Sequence, residues 1–182
     1  MSSRGQRRQP NTTASSFTTC SLGPNGGLIG AERMHGWLER LHYGNADTSG
    51  EVTQYWLNGT LRISPEEQVD FLRQFYDRTL PFQNTFEQLV EDALTQQPGT
   101  VQNARGVHRL STSWPRDAVL NSKTGATTTQ MESVSWLVGA LNVAKNRYVF
   151  ASAVSRERGG VEQLAAARAA MAAFERRRIL PP

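Results

Sequence analysis

Residues 118–129 read Ala118-Val119-Leu120-Asn121-Ser122-Lys123-Thr124-Gly125-Ala126-Thr127-Thr128-Thr129. An apolar approach runs into a lysine, a hydroxyl and a glycine, and a run of small residues follows. This order predicts a strand over residues 116–122 that ends in a compact anion site. The Lys123 ammonium attracts a carboxylate, the Thr124 hydroxyl donates a hydrogen bond, and Gly125 lets a ligand approach the backbone closely. A tripeptide recurs by chance and a strand-end lysine is ordinarily solvated, so the flanking sequence decides what this one is worth.

Downstream lie two apolar, β-prone runs, residues 134–141 and 148–154, joined by Ala144-Lys145-Asn146 in the layout of an antiparallel hairpin. Gly159-Gly160 then releases an alanine-rich helix from Val161 to about Arg177. Upstream, Met34, Trp37, Leu38 and Leu41 recur at helical spacing over residues 31–42, and Tyr43-Gly44-Asn45 ends that helix with residues that tolerate left-handed conformations. A capping box follows, with Ser64 as N-cap, Pro65 at the first helical position and Glu67 three residues on. The helix it starts carries Val69, Leu72, Phe75 and Tyr76 on one face, with Glu66, Asp70, Arg73 and Asp77 wet. A second helix over residues 84–94 is expected to turn Phe86, Leu89, Val90 and Ala93 inward, and residues 96–103 read as a loop. Helices, then three strands, then a helix packing back on them read as an α+β fold. Residues 1–28, rich in Ser, Thr, Gly, Gln and Arg, read as a poorly specified leader, and residues 29–182 as the organised part.

At 182 residues and a formal charge of +4, the chain is long enough for one real core and is moderately basic. Its basic residues are mostly arginines scattered among acids, with no recognition helix or aromatic nucleic-acid motif, so no nucleic-acid partner is expected. The single cysteine, Cys20, has no internal partner, and His35, His42 and His108 show no ligand spacing, so neither a metal nor another cofactor is expected. No apolar run approaches a membrane span, so no membrane partner is expected. Arg4, Arg7 and Arg8 resemble the start of a signal peptide, but no apolar segment follows, and the chain as written reads as cytoplasmic. Oligomeric state is not legible.

Read together, Tyr43-Gly44-Asn45, Tyr55-Trp56-Leu57-Asn58-Gly59-Thr60-Leu61-Arg62-Ile63-Ser64, Gln68-Val69-Asp70-Phe71-Leu72, Lys123-Thr124-Gly125 and the hairpin Trp136-Leu137-Val138-Gly139 with Tyr148-Val149-Phe150-Ala151 form an ordered set. This set resembles the C-terminal part of a class D serine β-lactamase, or of the related penicillin-sensing receptor domains. The resemblance runs from about Ile29 to Pro182 and covers only the later half of a family domain. It implies a β-lactam or peptidoglycan-like small molecule as partner, and a periplasmic or secreted setting. It further implies that Lys123, Thr124 and Gly125 position the ligand and its carboxylate, and that Ala126 offers a backbone N–H to an oxyanion. Trp56 matches the tryptophan that hydrogen-bonds a carboxylated lysine, while Tyr43, Gly44 and Asn45 shape the neighbouring wall. Arg168 is the best match to the arginine that receives the substrate carboxylate. It lies seven after Val161, four after Leu164 and three before Met171, which puts it on the helix's apolar stripe. Plainer roles stay open: a core aromatic for Trp56, a helix stop for Tyr43-Gly44-Asn45, and a solvated side chain for Arg168.

The family's chemistry begins with a serine in S-x-x-K. Only two lysines exist here, and Leu120 and Asn142 stand three positions before them, so the 182 residues contain no S-x-x-K. Ser15-Ser16-Phe17-Thr18 puts a threonine, which is no base at neutral pH, where the lysine is needed, and it lies too close to Tyr43. The family's second motif, S-x-V, should fall about a dozen residues before Gly30, where the chain instead reads Phe17-Thr18-Thr19, and Ser152-Ala153-Val154 is a decoy in the last strand. No catalytic residue is therefore assigned, and the chain is expected to be impaired or inactive as a hydrolase. The alternative is a non-catalytic β-lactam- or peptidoglycan-binding module, or one that complements a separate fragment.

Overall fold

The computed structural model describes residues 30–50, 60–111, 113–128, 132–157 and 159–181. The expected leader and Trp56 lie outside these residues. Among the described residues three helices come first: α1 (Ala31–Arg40), α2 (Pro65–Tyr76) and α3 (Asn84–Leu94). Five strands follow, β1 (Thr100–Asn103), β2 (Gly106–Arg109), β3 (Val119–Thr128), β4 (Glu132–Val143) and β5 (Asn146–Glu157), and then α4 (Ala165–Arg176). The α+β reading holds. β3, β4 and β5 form an antiparallel sheet in that order, and β1 and β2 form a separate hairpin.

The registers Thr124↔Leu137 and Leu137↔Ser152 divide the sheet into two faces. Leu120, Leu137 and Leu141 point to one face and pack with Ala166, Ala167, Ala170, Met171 and Phe174 of α4. Val134, Trp136, Val138 and Ala140 point to the other and meet Leu72, Phe75 and Tyr76 of α2. Burying both faces is why β4 reads as a nearly unbroken apolar run rather than an alternating one. Gly139 is needed at the centre: a Cβ there would fall 2.0 Å from the Asn121 carbonyl oxygen on β3.

The capping box forms as expected. Ser64 Oγ accepts from Glu67 N and Glu67 Oε2 accepts from Ser64 N, which satisfies two donors at the start of α2. Helix α1 stops two residues early, where His42 takes a φ of 48°. The left-handed positions are His42, Gly44 and Ala46, so the expectation for Asn45 is corrected.

Two other expectations change. Residues 100–103 form β1 rather than loop, paired with β2 through Val101↔His108 and Gln102↔Val107. Helix α3 is turned the other way round: Phe86 and Leu89 are 59% and 64% exposed, Val90 and Ala93 are also exposed, and Glu87 is 1% exposed. Its polar side is the docked one. Arg78 reaches Glu91 at 2.6 Å and Glu87 at 3.8 Å, and Arg147 of β5 reaches Glu91 at 3.2 Å. Arg147 also lies 4.8 Å from the Tyr76 ring centroid, so one guanidinium ties β5 to both α2 and α3.

Candidate functional site

Lys123, Thr124, Gly125 and Ala126 are consecutive residues of β3, opposite Val138, Leu137, Trp136 and Ser135 of β4. The strand therefore continues through the tripeptide instead of ending there. Lys123 and Gly125 share the face that α2 covers further along the sheet, while Thr124 and Ala126 share the α4 face.

The outer edge of β3 carries the site's backbone chemistry. Leu120 O accepts from Gln96 N at 2.8 Å and Ser122 O accepts from Gln96 Nε2 at 2.9 Å. Outward-facing backbone groups recur every second residue in an antiparallel strand, so Thr124 and Ala126 also turn their N–H and C=O away from β4. Lys123 Nζ donates to the Thr124 carbonyl. The Thr124 hydroxyl donates to the carbonyl of Gln102 on β1 at 3.1 Å. That partner was not visible in the sequence.

Helix α4 is fixed to the same end of the sheet. Ser135 Oγ, on the rung with Ala126, donates to Gln163 O at 2.8 Å and accepts from Ala166 N at 3.3 Å. Arg168 lies two residues beyond that stitch. It is exposed and pairs with Glu162 at 2.7 Å, so its expected place on the apolar stripe is corrected. The spacings from Val161 and Leu164 failed because both residues precede the helix, which begins at Ala165, while Met171 lies at the edge of the buried stripe Ala166, Ala167, Ala170, Met171 and Phe174, with Arg168 just outside it.

Tyr43, Gly44 and Asn45 form a clamp. Asn45 N donates to Arg62 O at 2.9 Å, Asn45 Oδ1 accepts from Arg62 N at 2.8 Å, and Asn45 Nδ2 donates to Thr60 O at 2.8 Å. Gly44 sits so close that a Cβ would be 2.0 Å from Arg62 O. The Tyr43 ring meets Phe71 edge-on at 5.0 Å, and its hydroxyl donates to the buried Gln68 Oε1 at 2.9 Å. The tripeptide thus locks residues 60–63 onto α2, whose other side packs on the Lys123 face of the sheet. Sequence reasoning gave no role of their own to Gln68, Gln96, Gln102 and Ser135. Gln68 stood only as one residue of the ordered set, and Ser135 left a trace as a small polar residue inside an apolar run. Among the described residues, no group of His, Cys, Asp and Glu could hold a metal ion, and no helix is long and apolar enough to cross a membrane.

Residues 15–175 match the family model of the penicillin-binding protein transpeptidase domain. The chain belongs to that family. Within the transpeptidase family its relatives are of the class D kind. It is 35% identical over 126 residues to the probable beta-lactamase YbxI of Bacillus subtilis (strain 168), covering 69% of this chain and 41% of that protein. The BPu1 beta-lactamase structure superposes with a TM-score of 0.66 at 30% identity, over 86% of this chain and 57% of that one. The C-terminal domain of the Bacillus licheniformis BlaR penicillin-receptor does so with a TM-score of 0.68 at 28% identity, over 86% and 56%. The chain therefore spans about half the length of the transpeptidase-family proteins it matches.

Proposed function

We propose that this chain is the carboxylate-recognising part of a class D β-lactamase-like, penicillin-binding domain, which binds a β-lactam or a peptidoglycan-like acyl peptide without turning it over. The observation that carries the reading is the edge of β3. There an ammonium, a hydroxyl and the outward N–H of Ala126 follow one another, and the α4 turn bearing Arg168 is stitched to the same rung. In this reading Lys123 and Arg168 draw the ligand's carboxylate, Thr124 orients it, and the Ala126 N–H faces the ligand's carbonyl oxygen. Arg168 has to leave Glu162 to do this, which costs little, because both side chains are more than half exposed. The family resemblance assigns the neighbouring wall to Trp56, Tyr43 and Asn45. With no S-x-x-K in these residues, neither an acyl-serine nor its base is available.

Titrating the purified chain with benzylpenicillin tests this. Saturable binding is expected, with no adduct by intact mass. Lys123→Ala and Arg168→Ala are each expected to weaken binding about 10-fold or more, the scale of one charge-assisted hydrogen bond. Rapid hydrolysis of a chromogenic cephalosporin by the wild-type chain would overturn the non-catalytic part. Binding indifferent to both substitutions would overturn the site.

The exposed apolar side of α3 favours a second reading, in which a separate polypeptide carrying the serine and its lysine completes the domain. Adding an N-terminal segment of YbxI then raises the melting temperature and restores cephalosporin hydrolysis. No shift and no hydrolysis would dispose of it.

A further inference from the structure

Thr124 has one hydroxyl proton, and it is already given to the Gln102 carbonyl. A ligand carboxylate brings only acceptor oxygens, so it competes with that carbonyl for the one proton, and the hydroxyl turns to the ligand only by giving up its bond to β1. Besides Val101, which is buried in the cluster under α4, one side chain ties β1 to the edge of β3. The Gln96 amide donates to Ser122 O at 2.9 Å and to Leu94 O at 3.0 Å, and its oxygen accepts from Gln102 N at 2.8 Å. Gln96 thus holds the N–H of the very residue whose carbonyl occupies Thr124. Apart from this, the β1–β2 hairpin is lightly anchored. Val101 is its one fully buried residue, Val107 is 52% exposed, and Leu110 N and Ser111 N share a single acceptor, Gly99 O, at the hairpin base. An element with so few buried contacts opens at low cost.

We propose that Gln96 is a positioning residue for the Thr124 hydroxyl: by clamping β1 to β3 it keeps the Gln102 carbonyl on Thr124, and an acidic ligand gains that hydroxyl only at the expense of this bond, which loosens the β1–β2 hairpin. The proposal rests on the carboxylate-binding reading above. It makes the hairpin a competitor for the ligand's donor, and Gln96 sets the strength of the competition. Lys123 and Arg168 act directly on a ligand, whereas Gln96 acts through Thr124.

The test is hydrogen exchange of the amides of residues 100–109 in the wild-type chain, with and without benzylpenicillin, together with binding by Gln96→Ala. Ligand is expected to speed exchange in the hairpin. Gln96→Ala is expected to bind about 3- to 10-fold more tightly, the range set by one neutral hydrogen bond. Gln96→Glu, which keeps the acceptor for Gln102 N but loses the donors, is expected to fall between the two. A merely structural glutamine predicts the opposite sign, weaker binding with a loosened fold. Slower hairpin exchange on adding ligand, or equal or weaker binding by a folded Gln96→Ala, overturns this inference while leaving the parent reading intact. No binding by either the wild type or Gln96→Ala overturns both. The exchange measurement needs no variant, so a Gln96→Ala chain that fails to fold leaves the decision with the wild type.

Discussion

Gly44 combines two constraints that no other residue type meets at once. Its φ is +55°, and the space where a Cβ would go is filled by the Arg62 carbonyl. Gly44→Ala is expected to lower stability by about 2 kcal/mol or more, from left-handed strain plus the clash, read as a fall in the urea midpoint at constant slope. Tyr76 makes a different point. Burial, reinforced by the Glu91 carboxylate, pushes its phenol well above the ordinary value of 10.0, and its hydroxyl has no hydrogen-bond partner among the described residues. The sign follows from proton counting. Above pH 10 the unfolded chain releases this proton while the folded chain keeps it, so stability falls as pH rises. Tyr76→Phe should unfold less readily on the alkaline side and stay within about 1 kcal/mol of wild type at pH 7, since no bond is lost. Denaturant midpoints from pH 7 to 11 decide this, and parallel curves for the two chains would refute it. At this scale the sequence shows which residues carry chemistry but not what they touch. Lys123-Thr124-Gly125 is legible as a donor cluster. The bond from Thr124 to Gln102 depends on a backbone carbonyl, which every residue possesses.

The elements repeat that lesson in a sharper form. The periodicity of α3 correctly announces an amphipathic helix with Phe86, Leu89 and Val90 on one side. Periodicity reports a face, however, and not what covers it. Here the anchoring face is the acidic one, because Arg78 and Arg147 stand ready to receive Glu87 and Glu91. Leu89→Gln should therefore change stability by no more than about 0.5 kcal/mol, as for an ordinary surface position. Glu91→Ala should cost about 2 kcal/mol, since it strips two arginines of a well-buried partner. Thermal unfolding of the two variants side by side checks the orientation, and the reverse ranking would mean that the apolar face is the docked one. The β1–β2 hairpin escaped the sequence reading for a related reason. Its strands are four residues long, hold one core residue between them, and turn through Asn103 Oδ1, which accepts from Arg105 N. The start of helix α2, by contrast, was readable to the residue, because its capping box is a local device complete within Ser64–Glu67.

For the whole molecule, the order of elements and the α+β class were legible, because long apolar strands and periodic helices declare themselves. Its partition was not. Among the described residues the apolar side chains collect in three clusters instead of one, with Leu41 and Phe71 shared between the cluster around α1 and the one under α2. Such sharing depends on how distant segments meet, for instance on Asn45 binding residues 60–62, and spacing along the chain carries no trace of it. The sheet is different, since its three strands are adjacent in sequence and the β4–β5 link is a tight turn through Ala144 and Lys145, with φ of 48° and 68°. That neighbourly arrangement has a kinetic meaning. Closing short loops costs little chain entropy, so β3, β4 and β5 can assemble while the segment before them is still loose. Pulse-labelled exchange during refolding should protect the amides of β4 before those of α1. The strand bearing Lys123 would then be standing early, a template on which the later-arriving helices find their places.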